Sequence, residues 1–232
     1  MKNANLTDLR MLLERASPED RANLSKIINS QFGDSPQHLC NHLHYCRAGF
    51  IGQHFDRRDY KQLVTDIADH VGVDWPGLLK DRSWDKVAAP EIEDAVMLKV
   101  FQKVFEQLSD EDRRNLAEEL GRAGQSPNII GEILTGGALV LGKLTGFQIY
   151  LLATTTVGAL TSALGITLPF VIYTALTRSI SMILGPIGWA FLGVSVILHL
   201  NQPNWSRLVP AVIYISYIRH KLDADPQTKT EV

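Results

Sequence analysis

The sequence predicts an all-α protein: an N-terminal bundle of amphipathic helices followed by a glycine- and alanine-rich apolar helical hairpin region. Three observations predict it. Apolar residues recur at helical spacing in the first half, as at Leu9, Leu12 and Leu13 and again at Leu63, Val64, Ile67 and Val71. Charge is divided sharply, with 38 of the 48 Asp, Glu, Lys and Arg residues lying in 1–130. The remainder holds two charge-free runs, 34 residues between Lys143 and Arg178 and 28 between Arg178 and Arg207. A bilayer-spanning helix needs about 20 mostly apolar residues, so either run is long enough to cross.

The first helix is expected over Thr7 to Arg15. A second starts at Ser17-Pro18-Glu19-Asp20, where the serine can cap free amides, proline suits the first helical position and the acids suit the positive helix end. The pattern returns at Ser109-Asp110-Glu111-Asp112, so the N-terminal part is built from paired helices. Tyr60 to Val73 is a further amphipathic helix that Gly72 terminates, Trp75-Pro76-Gly77 is a turn, and a long helix runs from Pro90 to Leu108. Gly121, Gly124 and Pro127 mark a boundary. The domains are therefore 1–126, helical; 127–221, hydrophobic and membrane-associated; and 222–232, a polar tail.

Within the apolar region one helix is expected from Ile129 to Tyr150 or on toward Leu164, and Pro169 starts the next. Gly185-Pro186 precedes a segment from Ile187 to Leu200, and a final segment, Leu208 to Ile218 with Pro210 near its start, is too short to span alone. Small residues at these spacings let helices approach closely, which makes Pro169, Gly185, Pro186, Gly188, Trp189 and Pro210 the helix-packing motif.

The stretch Gln37 to Phe55 holds four of the seven histidines and both cysteines. On a helix His38, His42 and Cys46 share one face and are the candidate metal ligands. Their spacing matches no standard zinc module, and a partly buried helix with scattered histidines needs no metal. No cofactor is implied. Two cysteines are too few for a disulfide framework and read as reduced thiols.

Several segments in order resemble the YaaW-type bacterial proteins. They are Ser17-Pro18-Glu19-Asp20, Tyr60 with Asp66-Ile67-Ala68, Leu168-Pro169-Phe170 with Tyr173-Thr174, Gly185-Pro186-Ile187-Gly188-Trp189, and Pro210-Ala211-Val212-Ile213 with Ile215 and Arg219. That family is grouped distantly with ubiquinol-cytochrome c chaperones, which are helical assembly factors, and the resemblance implies no catalytic residues. The chain departs from it before Tyr60, where His44, Cys46 and isolated Gly49 and Gly52 replace a Gln and a paired glycine.

No enzyme class is indicated, since Gly136-Gly137 lacks the Lys-Ser/Thr partner of a phosphate loop and no nucleophile–base set can be nominated. The charge balance does not suggest nucleic acid. The first reading is a non-catalytic interaction, stress or defence component in the bacterial inner membrane, its N-terminal domain in the cytoplasm. Its partners would be the lipid bilayer and a protein partner or a second copy. The alternative is a cytoplasmic helical chaperone or assembly factor with a buried apolar hairpin, able to insert into membranes. Arg178 discriminates, because an arginine at mid-bilayer costs about 2.5–3.5 kcal/mol and must sit at an interface or turn in a spanning protein.

Overall fold

The computed structural model describes residues 7–31, 33–52, 59–107, 146–163 and 203–224, with short pieces between 109 and 144. Among these every regular element is helical: α1 (Thr7–Arg15), α2 (Pro18–Ile28), α3 (Pro36–Gly52), α4 (Tyr60–Val71), α5 (Trp75–Leu79), a 3-10 turn (Trp84–Lys86), α6 (Ala89–Gln107), α7 (Gly146–Ala163) and α8 (Trp205–Ala224). The all-α expectation holds.

Local chemistry explains the boundaries. The Ser17 hydroxyl accepts from the Asp20 amide, and α2 closes at Asn29 in the left-handed region. Asp59 and Gln62 form a reciprocal capping box on α4, which ends at Gly72 with φ 77°. A side chain at that φ would be strained, so glycine is suited to this stop. Trp75-Pro76-Gly77 differs from the expected turn by opening a five-residue helix. Proline in a first helical turn removes an amide that would have had no intrahelical partner, so helix and turn chemistry coincide there.

The centre of the fold is α8. Every residue from Leu208 to Ile218 is buried, and the helix packs against α7, α6, α2, α3, α4 and α1. A helix apolar on all sides belongs where neighbours surround it. Around it lie Leu9 and Leu13 of α1, Leu24 and Ile27 of α2, Leu39 and Leu43 of α3, Leu63 and Ile67 of α4, and Val96 and Phe101 of α6. The described side chains of α7 are buried as well, and its Thr156 and Thr161 hydroxyls donate to the carbonyls of Leu152 and Val157, each at 2.8 Å. Bonding back to its own helix is how threonine sits in an apolar interior.

Three expectations are corrected. The final segment is not an 11-residue piece followed by a tail: α8 takes in Arg219, His220 and Lys221 and ends at Ala224. The helix expected to run on from Ile129 is interrupted by a bend at Leu144, before α7 opens at Gly146. The helix begins at Trp205 and not at Leu208, which puts Pro210 inside α8, so the Ser206 carbonyl lacks the amide that would normally meet it. Among the described residues no helix is long and apolar enough to cross a membrane. The end of the first charge-free run with Pro169, then Arg178, and most of the second run with Gly185, Pro186, Gly188 and Trp189, lie outside the described residues.

Candidate functional site

Helix termini leave carbonyls without intrahelical partners, and the end of α2 shows where the histidine-rich helix spends its polar groups. The Ser25 and Lys26 carbonyls accept from the Ser30 and Asn29 amides. The Ile27 carbonyl accepts from Arg207 Nη1 at 3.1 Å. His42 Nε2 lies 3.1 Å from the Ile28 oxygen, and Cys46 Sγ donates to the same oxygen at 3.8 Å. Two of the three candidate metal ligands thus converge on a carbonyl, which requires the His42 tautomer that carries its proton on Nε2. Burial holds that imidazole below its ordinary pKa, and burial pushes the Cys46 thiol up to about 12. His38 lies two turns before Cys46 on α3, half-buried. Among the described residues no three His, Cys, Asp or Glu side chains are arranged to hold a metal ion. Of His38, His42 and Cys46, the last two are thus turned toward the end of α2, where the Ile28 carbonyl meets both.

The C-terminal half of α8 is clasped by carboxylates from three other helices. Arg219 donates to both oxygens of Glu93, through Nε at 3.1 Å and Nη2 at 2.9 Å, and lies 3.7 Å from Asp8. His220 Nε2 meets Asp94 Oδ1 at 2.9 Å, and the Ser216 hydroxyl donates to that oxygen at 2.7 Å. Lys221 donates to Asp20 Oδ2 at 2.8 Å, and Tyr214 donates to Asp20 Oδ1 at 3.0 Å. Asn23 Nδ2 completes the cluster at 3.4 Å from the Tyr214 oxygen. Three consecutive basic residues are therefore each matched to an acid distant in the chain, two on α6 and one on α2.

The environments of these acids differ. Glu93 is fully buried, and burial raises its carboxyl above the ordinary value despite the pull of Arg219. Burial also acts on Asp20, but hydrogen bonds from Lys221, Ser17 and Tyr214 outweigh it and leave the carboxyl below its usual value. For His220 burial opposes the charged form, yet the bond to Asp94 and the surrounding acids raise the imidazole above its ordinary value.

At its other end α8 borders a groove of about 440 Å³ lined by Arg47, Asp66, Asp69, His70, Pro203 and Trp205. The chain enters through the Asn204 amide, which donates to the Cys46 carbonyl at 2.7 Å. Trp205 stacks on His70 with ring centroids 4.2 Å apart and planes 9° from parallel. Arg47 pairs with Asp66. Burial, with the Lys103 charge, holds the His70 imidazole below its ordinary value, and its buried Nε2 has no hydrogen-bond partner.

Proteins of Helicobacter pylori resemble this chain over about 70% of its length. A Helicobacter pylori (strain J99) UPF0174 protein is 30% identical over 174 residues, covering 72% of this chain and 78% of the relative. The chain belongs to the UPF0174 family. A second UPF0174 protein, from H. pylori strain 26695, is 29% identical over 170 residues, 71% of this chain and 77% of the relative. A third, from strain J99, is 27% identical over 163 residues, and the match spans 61% of that longer relative. No family model matches the chain, and no solved structure matches it.

Sequence reasoning about this UPF0174 chain missed both the clasp and the groove. Arg219, His220 and Lys221 read as the start of a solvated tail, and Asp20 as an ordinary helix-start acid. A usable signal was present: Ser216 and His220 stand four apart and Tyr214 and Lys221 seven apart, so each pair shares one face of a helix. Pro210 is the member of the expected packing motif that the described residues include, and it is buried in α8.

Proposed function

We propose that this chain is a non-catalytic helical interaction or assembly protein of the bacterial cytoplasm that keeps its apolar C-terminal helix inside its own bundle. The observation that carries this reading is the burial of Leu208 to Ile218 between helices drawn from both ends of the chain. The clasp supports it further, because Arg219, His220 and Lys221 each meet a protein carboxylate. A helix stored in this way has its lipid-like partner surface supplied by the protein.

The finer family reading, a YaaW-like protein with a distant tie to ubiquinol-cytochrome c chaperones, rests on the segments around Leu168, Gly185 and Pro210 and suits an assembly role. The test is fractionation of bacteria expressing the full chain, followed by purification without detergent. The reading expects release by carbonate and a monodisperse species by light scattering. Retention in the carbonate-washed membrane pellet would overturn it and favour the bilayer as partner, with the charge-free run around Arg178 as the anchoring segment.

A further inference from the structure

Three of the four tryptophans of the chain surround the outer face of α4. Trp84 donates to Thr65 Oγ1 at 3.2 Å and lies under Lys61 Nζ, 3.9 Å from its ring centroid. Trp75 donates to Asp69 Oδ1 at 2.6 Å. Trp205 stacks on His70, one turn of α4 beyond Asp66. Trp84 is 38% exposed, and Trp75 and Trp205 are half-buried. Large rigid aromatics at a surface are the residues on which protein contacts concentrate their energy.

The groove gives this face a sign. Its lining carries two carboxylates, Asp66 and Asp69, against one cation, Arg47. Arg47 is 2% exposed at its side chain and is taken up by Asp66, whereas Asp69 is exposed. His70 is held toward its neutral form by burial and by the nearby Lys103 charge, which partly offsets the two carboxylates. The groove is open to solvent, with room for one side chain laid along its wall. A guanidinium or ammonium group entering here would meet a carboxylate and an indole together, the pairing that ion-pair and cation–π attraction favour.

We propose that the groove between α4 and the start of α8 is the docking site for a basic segment of a protein partner, with one Arg or Lys side chain seated between Asp69 and Trp205. The inference deepens the interaction role proposed above. Solvent-borne Asp69 supplies the charge, Trp205 supplies the wall, and Trp75 holds the carboxylate in place through its indole N–H.

The test uses the full chain and an alternating Arg-Gly nonapeptide, with the matched Glu-Gly nonapeptide as its counterpart, read by tryptophan fluorescence at low salt. The Arg-Gly peptide should quench saturably and the Glu-Gly peptide should not. Asp69→Asn keeps the acceptor for Trp75 and removes the charge, so it should weaken binding about fivefold, the scale of one partly exposed ion pair. Asp81→Asn, at an exposed acid outside the groove, should leave binding unchanged. Unaltered melting temperatures establish that both variants are folded, and the comparison of the two peptides on the unmodified chain stands without any variant. Absence of saturable binding, equal weakening by both substitutions, or preference for the Glu-Gly peptide would overturn the proposal. Because the readout is peptide binding, it is independent of whether the chain fractionates with membranes.

Discussion

Arg219 and Glu93 form the part of the clasp where burial makes the energetics most decisive. Glu93 is 0% exposed at its side chain and Arg219 16%, so Arg219→Leu would strand a carboxylate inside the bundle. Removing one partner of a buried ion pair costs about 3–5 kcal/mol. The carboxyl has an escape, however, because burial already raises its proton affinity; without the guanidinium it would take up a proton more readily. Protonation then limits the cost, so Arg219→Leu should be least destabilising near pH 5 and most destabilising near pH 8. The double variant Glu93→Leu, Arg219→Leu replaces both charges with apolar groups and should recover most of the loss, since such replacements are often neutral or stabilising by about 1–4 kcal/mol. Urea unfolding followed by circular dichroism at both pH values, on the unmodified chain, Arg219→Leu, Glu93→Leu and the double variant, gives the cycle. A single-variant loss below about 1 kcal/mol, or a double variant as unstable as Arg219→Leu, would refute the reasoning.

His220 has a raised folded pKa, so its pairing with Asp94 contributes fully below the unfolded value of 6.5 and is lost as pH rises through the folded value. Stability should therefore decline as the pH rises from the unfolded value through the folded one, and His220→Gln should flatten that slope in a pH series of urea midpoints. Both cysteine thiols are pushed up to about 12 by burial, so a thiol reagent at pH 8 should label Cys40 and Cys46 only in denaturant; rapid labelling of native protein would contradict their placement. Ile213 is fully buried in α8, and Ile213→Ala should cost about 2–5 kcal/mol, checked by the same urea midpoints.

Local signals in this sequence were legible where a helix start or stop has its own chemistry. Ser17-Pro18, Gly72 and the apolar stripe of α4 each announce an element from neighbouring residues alone, and the helices stand where those residues put them. The clasp is different in kind. Asp20 and Lys221 are 201 positions apart and Glu93 and Arg219 126, so neither pair leaves a local trace, and each member has an unremarkable reading by itself. The histidine stretch is a different case. A density of His and Cys offered candidate metal ligands, and the contact that His42 and Cys46 make is with the Ile28 carbonyl at the end of another helix. That contact becomes visible only once α2 and α3 are known to touch. The groove was equally hidden, since Arg47, Asp69 and Trp205 come from three elements whose proximity no spacing encodes.

The same kind of argument bears on why α8 fell within the region, 127–221, that was expected to be membrane-associated. Apolarity on every face has two physical solutions, lipid or surrounding protein, and hydropathy alone does not choose between them. What distinguishes them is the polar groups near the ends. In a bilayer the terminal cations would reach for headgroups and water, and the positions of the intervening Tyr214 and Ser216 would be indifferent. Here each has an assigned acceptor, Asp20 for Tyr214 and Asp94 for Ser216, and the three consecutive cations that follow have acids on α2 and α6. Turning the helix about its axis, or sliding it by one residue, would break all five contacts at once while leaving its apolar surface almost equally well buried. Polar contacts of modest individual strength can thus specify the seating of a helix whose burial is driven by its apolar side chains.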